Sequence, residues 1–409
     1  MAGAIELEAA RRAVLARVVP LPVEMVELSA ALGRRLAEDA VATAPVQGFD
    51  NSAMDGYAVR AGDTDGASSS PVGLALVGES RAGHPSERDL GPGEAIAIST
   101  GAMLPAGADA VVAVEDAARD GDRILARAQV SPGEYVRRAG EDFAAGATVL
   151  KAGAHLGAVE LGVLAAIGAD PAPCRRRPRV AVITTGDELT PADQPLPPGG
   201  IRDANAASVP ALARLAGAEV FSVESVPDEE EATAVALEVA LGSADAIVVS
   251  GGVSVGAHDH VKAALGRLGV EEEFWRVALK PGGPTWFGAH DETLLVFGLP
   301  GNPVSAVVTF LLLARPALVA LAGGEPDERR TRARLGDDCE APPGRAHAVR
   351  CRLELDERGW VAWPTPHQGS HVLTSLLYAD CLALVPAGAA MVAGEIVEIE
   401  LLDRASIGG

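Results

Sequence analysis

The stretch Ile247-Val-Val-Ser-Gly-Gly-Val-Ser-Val-Gly-Ala-His-Asp-His260 decides the fold class of this chain. Its first three residues are apolar and β-branched, which predicts a short buried strand. Ser250-Gly251-Gly252 then predicts a turn that leads into a helix. Open α/β sheets bind ligands at the carboxyl ends of their strands, and glycines let backbone N–H groups approach an anion. A turn without a ligand is the alternative for a lone Gly-Gly pair, but Asp259 and the segments described below favour a binding site.

The alternation of strands and helices extends over residues 178–324. Apolar runs predict strands at Val180–Ile183, Val220–Val226 and Thr293–Phe297. Helices are predicted between them at 205–216, 228–241 and 260–268, and another begins at Pro303. This order predicts a doubly wound α/β domain with a parallel sheet at its centre. The apolar run from Val304 is interpreted as a buried helix, because its uninterrupted length is short of the about 20 residues that span a membrane.

The flanking regions have different patterns. Residues 5–18 have the apolar spacing of a helix, and Ser29 is expected to cap a second helix that continues to residue 40. Residues 45–142 are rich in glycine, proline and short alternating runs, which predicts a β-rich module with turns at 92–93 and 132–133. A helix is predicted at 156–167, ended by Gly168. After a charged linker at 325–330, the chain is predicted to form a small antiparallel sheet or barrel.

Composition excludes several classes of function. The chain has 409 residues, enough for two to four domains, and 48% hydrophobic residues, enough for a large core. Its formal charge of -22 makes duplex nucleic acid an unsuitable partner, because phosphate binding needs clustered Lys and Arg. The four cysteines are far apart, which indicates neither a zinc site nor a disulfide scaffold. Without an apolar signal segment, we expect a cytoplasmic protein with no membrane association.

Polar residues follow the predicted strands. Thr184-Thr-Gly-Asp-Glu188 places hydroxyls and two carboxylates after the first strand of the α/β domain, where they suit Mg²⁺, although one carboxylate could instead cap a helix. In Gly298-Leu-Pro-Gly-Asn-Pro-Val-Ser305, Asn302 fits an N-cap and Pro303 fits the first helical position. Arg276 and Lys280 supply cations that can bind oxyanions. Two loops of the β-rich module, Phe49–Tyr57 and Ser99–Asp109, fit either ordinary turns or ligand contacts. Together, these segments predict metal-assisted handling of a phosphate or oxyanion.

Seven motifs occur in order along the chain, and together they resemble the molybdopterin molybdenumtransferase family, the MoeA and gephyrin E-domain type. They are DNSAMDGYA at 50–58, STGAMLPAGADAVV at 99–112, GED at 140–142, TTGDEL at 184–189, SGGVSVGAHD at 250–259, KPGGP at 280–284 and GLPGNPVSA at 298–306. The resemblance covers essentially the whole chain. It implies four domains: an elongated helical domain (1–44 and 140–177), a β-rich module (45–139), a doubly wound, MogA-like α/β domain (178–324) and a C-terminal β-barrel (325–409).

The resemblance also implies a reaction. Molybdate would be inserted into adenylylated molybdopterin with release of AMP and a requirement for Mg²⁺. The family forms homodimers, in which the α/β domain of one subunit and the β-rich module of the other form the site. Other molybdenum cofactor enzymes are conceivable partners.

The family's site residues can be carried over position by position. The catalytic positions match Asp55, Thr100, Asp142, Glu188, Asp259 and Lys280. The positions expected to hold Mg²⁺ match Glu188, Asp228 and Asp259. The positions expected to bind substrate match Ser250, Gly251, Gly252, Ser254, Arg276, Pro300, Gly301, Asn302 and Pro303.

Two departures from the family pattern concern cations. The family often has lysine where Gly283 and Arg276 stand in this chain. Losing one cation and changing another could weaken anion binding, so a catalytically weakened paralogue that serves as a dimeric protein-binding scaffold is the alternative function. A Mg²⁺-dependent nucleotide hydrolase is a third interpretation, based on the glycine turns alone. The sequence does not distinguish molybdate from tungstate.

Overall fold

The computed structural model describes residues 3–253, 260–291 and 293–402. The chain divides into two compact units. The larger unit comprises residues 1–38, 152–157 and 171–409, and the β-rich unit comprises 39–151 and 158–170. The division into four domains stays a prediction.

The helices and strands are numbered in chain order. The helices are α1 (Leu7–Ala16), α2 (Ala158–Ala166), α3 (Asn205–Leu215), α4 (Glu230–Leu241), α5 (Val261–Arg267), α6 (Pro303–Thr309) and α7 (Arg315–Leu321). The first strands are β1 (Val23–Val26), β2 (Ala40–Val41), β3 (Asn51–Ser52), β4 (Gly56–Val59), β5 (Val72–Ser80), β6 (Glu94–Ile98), β7 (Ala110–Ala113), β8 (Ala117–Asp120), β9 (Arg123–Ala126), β10 (Val136–Arg137) and β11 (Thr148–Leu150). The others are β12 (Ala172–Arg175), β13 (Arg179–Thr185), β14 (Leu189–Thr190), β15 (Ile201–Arg202), β16 (Glu219–Val226), β17 (Ala246–Ser250), β18 (Glu271–Trp275), β19 (Leu279–Lys280), β20 (Trp286–His290), β21 (Leu294–Leu299), β22 (Arg330–Leu335), β23 (Cys339–Glu340), β24 (Ala346–Asp356), β25 (Gly359–Pro364), β26 (Cys381–Val385), β27 (Ala390–Met391) and β28 (Ile396–Leu401).

A six-stranded sheet forms the centre of the larger unit, in the order β16-β13-β17-β21-β20-β18. The first four strands are parallel, as predicted, and β20 and β18 add an antiparallel edge that was not predicted. Every residue of β17 is buried. Helices cover both faces, which is why β17 is apolar throughout and does not alternate with polar residues. The doubly wound α/β prediction is confirmed for this region.

One long helical run follows β21. It begins with α6, passes through a π-helical turn at Phe310–Ala314 and ends with α7. Among the described residues it is the one segment long and apolar enough to cross a membrane, and 94% of its most apolar stretch is buried inside the protein. The interpretation of this segment as a core helix agrees with that burial.

The C-terminal strands form a closed barrel. Strands β24, β25, β22, β28 and β26 pair in sequence, and β26 pairs back to β24. Closure leaves no unpaired edge among these five strands, because each has two neighbours. The short strand β19 of the α/β region adds to β24, with Lys280 opposite His347. The predicted C-terminal barrel is therefore present.

The β-rich unit contains a second six-stranded sheet, in the order β7-β4-β6-β5-β9-β8. The predicted turns at 92–93 and 132–133 are present, and their glycines have φ of 71° and 84°. Helix α2 lies in this unit and is followed by Gly168 with φ of 72°, as predicted for a helix end.

The predicted second helix, capped by Ser29 and continuing to Ala40, is wrong. The structure has a single 3₁₀ turn at Leu28–Ala30, and Gly33 then has φ of 73°, a left-handed conformation that ends any helix. Beyond it, the N–H of Leu36 donates to the carbonyl of Ala154 at 3.0 Å, as part of extended pairing with the returning chain. Pairing with a distant segment therefore overrides the local helical pattern.

Candidate functional site

The candidate site lies at the carboxyl ends of the parallel strands β13, β17 and β21. Their register places Thr184 beside Ser250 and Ser250 beside Leu299, so the three strands end together. The turns that follow line a cavity of about 330 Å³. Of the substrate-binding residues predicted from the sequence, this cavity brings together Gly251, Gly252, Pro300, Gly301, Asn302 and Pro303, along with the predicted acid Glu188.

The two glycines after β17 are required by the backbone of the turn. Gly251 has φ of 100°, and a Cβ there would lie 2.5 Å from the carbonyl oxygen of Thr185. Gly252 has φ of 65°, and its Cβ would lie 2.5 Å from Cγ2 of Val261. Only glycine fits these positions without displacing a neighbour. The turn can therefore bring backbone N–H groups close to a ligand.

Asn205, at the start of α3, connects the ends of two strands. Its Nδ2 donates to Oγ of Ser250 and to the carbonyl of Gly301, both at 2.8 Å, while Ser250 Oγ donates to the carbonyl of Pro300 at 3.3 Å. Its Oδ1 is buried and has no hydrogen-bond partner. A buried acceptor of this kind costs free energy unless a ligand or water donates to it. Asn205 lines the cavity and was not predicted as a site residue.

Asp203 organises the same edge of the sheet. Its Oδ2 accepts hydrogen bonds from Thr184 Oγ1 at 2.6 Å and from Ser225 Oγ at 2.7 Å. Its Oδ1 accepts the N–H of Ala206 at 2.9 Å, which satisfies a free donor in the first turn of α3. This carboxylate also lines the cavity and was missed. A single aspartate shortly before a helix is typical of a helix cap, so the sequence gives no separate signal of a site here.

Three acidic residues lie close together beside the cavity. Burial, and then the nearby carboxylates of Asp187 and Glu188, raise the pKa of Asp228 above its usual range. The N–H of Asp228 donates to Oδ1 of Asp187 at 3.0 Å, which holds the two chain segments together. The predicted metal residues Glu188 and Asp228 are thus neighbours. The third, Asp259, and the predicted Ser254 lie outside the described residues.

The two predicted cations occupy other positions. The guanidinium of Arg276 lies over the ring of Trp275, 4.5 Å from its centroid, and the ammonium of Lys262 lies 3.5 Å from the same ring. Lys280 is exposed and pairs with the barrel strand β24. Neither Arg276 nor Lys280 is among the residues that line the cavity. The structure therefore does not place them with the glycine turns, and their predicted roles stay predictions.

The β-rich unit contains the other predicted residues. Asp55 Oδ1 accepts the N–H of Thr100 at 2.6 Å and its hydroxyl at 2.9 Å. These two bonds, the backbone one first, lower the pKa of Asp55, because they stabilise the ionised carboxylate. Asp55 and Thr100, two of the predicted catalytic positions, are therefore in direct contact. Asp142 is exposed on a bend that follows the segment held by Asp50 through the N–H of Ala139 at 2.9 Å.

Comparisons with known proteins agree with this arrangement. Three family models match the chain: the MoeA N-terminal region (domain I and II) at 5–168, a probable molybdopterin binding domain at 181–320, and the MoeA C-terminal region (domain IV) at 332–402. A molybdopterin molybdenumtransferase of Haemophilus influenzae is 36% identical and covers 97% of this chain and 98% of its own. The chain belongs to the molybdopterin molybdenumtransferase family. Molybdopterin molybdenumtransferase 2 of Mycobacterium tuberculosis is 40% identical over 88% of this chain and 90% of its own. The molybdopterin biosynthesis MoeA protein of Pyrococcus horikoshii has a TM-score of 0.81 and 35% identity, over 97% of this chain and 99% of that one.

In this molybdenumtransferase family member, the barrel carries two further cationic residues that the sequence reasoning missed. Arg350 is fully buried, and its Nε and Nη1 have no partner, while Nη2 donates to the carbonyl of His367 at 3.3 Å. Burial lowers the pKa of Arg350, since no carboxylate compensates its charge. His347, opposite Lys280, is bonded at Nδ1 to the carbonyl of Glu340 (2.9 Å), and its Nε2 has no partner. An arginine and a histidine within the otherwise apolar part of β24 were the sequence signal that could have identified these residues.

Proposed function

We propose that this chain inserts molybdate into adenylylated molybdopterin and releases AMP, as a step of molybdenum cofactor biosynthesis. The observation that carries this proposal is the cavity at the carboxyl ends of β13, β17 and β21, in a chain related over nearly its full length to molybdopterin molybdenumtransferases. Glycine turns, a free amide oxygen and a carboxylate cluster supply the donors, acceptors and negative charge that a pterin nucleotide and its metal ion require.

The pterin nucleotide is proposed to bind in this cavity. The N–H of Gly252 and the N-terminal end of α6 are available to an anionic phosphate, whereas the N–H of Gly251 donates to the carbonyl of Leu299 at 3.1 Å. Asn302 occupies the N-cap position of α6, but its side chain makes no capping bond, so its amide is open to substrate. The buried Oδ1 of Asn205 is placed to accept a hydrogen bond from an N–H of the pterin. Ser254 is expected to complete this set.

The acidic residues beside the cavity are suited to Mg²⁺. Among residues 3–253, 260–291 and 293–402, no cluster of three or more His, Cys, Asp or Glu side chains is arranged to hold a metal. Mg²⁺ does not need one, because it commonly takes one or two carboxylates, with waters and substrate phosphates as the other ligands. Burial and then the repulsion of the nearby carboxylates raise the pKa of Asp228, and a bound cation would relieve that repulsion. Glu188 and Asp228, with Asp259, would hold an ion that neutralises the phosphate as AMP leaves.

Molybdate is proposed to bind at the cations shared by β19 and β24. Lys280 presents an ammonium opposite His347, whose imidazole has no partner at Nε2, and Arg350 on the same strand has two unpartnered guanidinium nitrogens. A tetrahedral dianion bound beside Lys280 would favour protonation of His347, whose Nε2 would then donate to it, and the dianion would lie in the positive field of Arg350. The same cations could compensate for the glycine at 283, where the family often has lysine. Arg276 is proposed to stay with Trp275 and to contribute positive potential.

Three parts of the proposal concern the assembly. We propose that the chain is a cytoplasmic homodimer and that Asp55, Thr100 and Asp142 of one subunit complete the site of the other. Support comes from the hydrogen-bonded pair of Asp55 and Thr100, which holds an ionised carboxylate toward solvent. A scaffold has no need of such a pair, nor of the Asn205 and Asp228 arrangement, so the scaffold function is not favoured.

An insertion assay tests the proposal. The purified chain is mixed with adenylylated molybdopterin, molybdate and Mg²⁺, and AMP release and the activation of a cofactor-free molybdoenzyme are measured. We expect AMP release that depends on molybdate. In Glu188→Gln it should fall about 10- to 100-fold, because a metal ligand is lost. Asp193→Asn, at an exposed loop position, is the matched control and should not change it. Equal activity in both variants, or phosphate release from ATP instead, would contradict the proposal.

A further inference from the structure

The larger unit contains a second, larger cavity, of about 530 Å³. It lies where the C-terminal ends of α3 and α7 meet the segment Leu32–Arg35 and the chain after β12. It shares no lining residue with the cavity at the sheet edge. Seven arginines line it, and Glu328 is the one acidic side chain among the described residues that do so. This is unexpected in a chain with a formal charge of -22.

Part of this positive charge is compensated by ion pairs. Three of the arginines have carboxylate partners, two of which lie outside the cavity lining. The pairs are Arg34 with Glu24, Arg35 with Glu328, and Arg315 with Glu400.

Three of the other four arginines are compensated less. Arg175 donates from Nη1 to the carbonyl of Leu21 at 2.9 Å, and Arg177 donates from Nη2 to the carbonyl of Leu32 at 3.2 Å. Arg214 is exposed in the last turn of α3. Within the described part of the chain, none of these three arginines forms an ion pair. Each of these hydrogen bonds occupies one nitrogen of a group that has five N–H donors, so donors remain for another acceptor.

The backbone is shaped to bring these guanidinium groups together. A Cβ on Gly323 would lie 2.9 Å from Cγ of Arg175, and a Cβ on Gly324 would lie 2.7 Å from Cζ of Arg35. The glycine pair after α7 therefore lets two arginine side chains pack directly on the main chain. Arg34 is 8% exposed, and its Nε is buried without any hydrogen-bond partner. An unpartnered N–H on a charged, buried group costs free energy that a bound anion would recover.

We propose that this cavity is a second anion-binding site, which takes a small anion with two or more phosphoryl groups. The guanidinium fork matches phosphate oxygens in geometry, and several forks around one cavity match a charge of more than one unit. A single phosphate group would contact only some of the arginines that line the cavity. Leu215, Val319 and Ala322 give the wall an apolar portion, so a pyrophosphate attached to a nucleoside also fits. The site is independent of the proposed molybdenum insertion.

Titration calorimetry with sodium pyrophosphate tests this site in the full-length chain. We expect saturable binding that weakens with added salt, because the attraction is electrostatic. Arg214→Glu should weaken it by about tenfold or more, since one fork is replaced by a repelling charge. The matched control is Arg332→Glu, which makes the same charge change at an exposed position of β22 outside the cavity. AMP release by Arg214→Glu without pyrophosphate should equal that of the unmodified chain.

Further calorimetric measurements distinguish binding at this site from binding at the sheet-edge site. Lys280→Ala should leave pyrophosphate binding intact; if it abolishes binding while Arg214→Glu does not, the anion binds at the oxyanion site and the inference is wrong. Equal weakening by Arg214→Glu and Arg332→Glu would also overturn the inference, because only the general electrostatic field of the protein would then matter.

Titrations with ATP and with inorganic phosphate show which anion the site prefers. Phosphate is expected to bind at least tenfold more weakly than pyrophosphate, which is about the contribution of one guanidinium fork. An absence of saturable binding by either pyrophosphate or ATP refutes the site.

Discussion

At the scale of single residues, Asn205 and Arg350 are buried side chains that keep polar atoms without partners. Asn205 Oδ1 lies at the cavity of the sheet edge, and Arg350 Nε and Nη1 lie on the barrel strand β24. Each such group costs roughly 1–3 kcal/mol relative to a bonded one. Folds seldom retain this cost inside a well-packed core. We therefore expect a ligand or an ordered water to supply the missing bond at both residues, in keeping with the proposed pterin and molybdate positions.

The carboxylate of Asp55 gives a prediction about acidity. Thr100→Val removes the hydroxyl donor but keeps the backbone N–H, so the pKa of Asp55 should rise only part of the way to its ordinary value of about 3.9. The carboxyl ¹³C shift, followed against pH by NMR, measures this. The pKa of Asp50, lowered first by the N–H of Ala139, serves as an internal control and should not move. An unchanged Asp55 titration in the variant would show that the hydroxyl contributes nothing.

His347 gives a prediction about stability and pH. Burial is the largest cause that lowers its pKa, with smaller contributions from Lys280 and Arg350. The unfolded chain therefore binds the proton more tightly than the native chain, and the free energy of unfolding falls as pH drops below about 6.5. His347→Gln should flatten this fall. Urea midpoints at several pH values between about 5 and 7.5 measure it, and parallel pH curves for the two proteins would contradict it.

At the scale of elements, the strand-to-helix turns are fixed by glycine geometry. Gly252→Ala places a Cβ 2.5 Å from Val261 at a φ of 65°, so it should destabilise the larger unit by about 1–3 kcal/mol. Gly266 in α5 has nothing within 4 Å of its Cβ position, so Gly266→Ala should stabilise by about 0.5–1 kcal/mol. Urea unfolding followed by tryptophan fluorescence measures both changes. If both substitutions destabilise the protein, helix propensity does not determine the stability change of Gly266→Ala.

The elements that the sequence predicted well are those with strong local patterns. Strand β17 is buried over its full length and the helix begun by Pro303 over almost all of it, so hydrophobicity and turn residues identify them. Strand β18 was missed because it begins with three consecutive glutamates, which mark the exposed edge of the sheet. The strength of the local pattern also separates the site residues that were predicted from those that were missed. Glu188 and Gly251 stand in recognisable turns, whereas Asn205 and Arg350 matter only through contacts with residues at least 17 positions away in sequence.

At the scale of the whole molecule, one buried cluster extends through three parts of the larger unit. Residues of α1, of the α/β sheet and of the barrel belong to the same buried cluster, which includes Leu7, Val248 and Leu382. Hydrogen bonds also join α1 to the rest of this unit. Arg11 of α1 is 3% exposed and donates to the carbonyls of Leu312 at 3.0 Å and Pro326 at 3.1 Å. Shared burial of this kind couples the parts in unfolding. The α/β region and the barrel are therefore expected to unfold together.

The buried charges that join α7 to β28 test this coupling. Glu400 is fully buried and pairs with Arg315, which is 4% exposed, and with Nε of Arg330 at 3.2 Å. Glu400→Gln removes the buried negative charge that both arginines contact and should cost about 3–5 kcal/mol. The four tryptophans, Trp275, Trp286, Trp360 and Trp363, lie in both the sheet and the barrel of the larger unit, so their fluorescence in urea reports on both regions.

We expect a single transition, shifted to lower urea as a whole, because the sheet and the barrel share a core. Two separated transitions in Glu400→Gln would contradict the coupling. Glu230→Gln, which removes an acid from the exposed pair with Arg267, is the control and should cost less than about 1 kcal/mol. Replacing Arg315 and Glu400 together by methionine should recover much of the stability lost in Glu400→Gln, because no uncompensated charge then remains between them. Failure of this rescue would mean that packing around Glu400, and not its charge, holds α7 to β28.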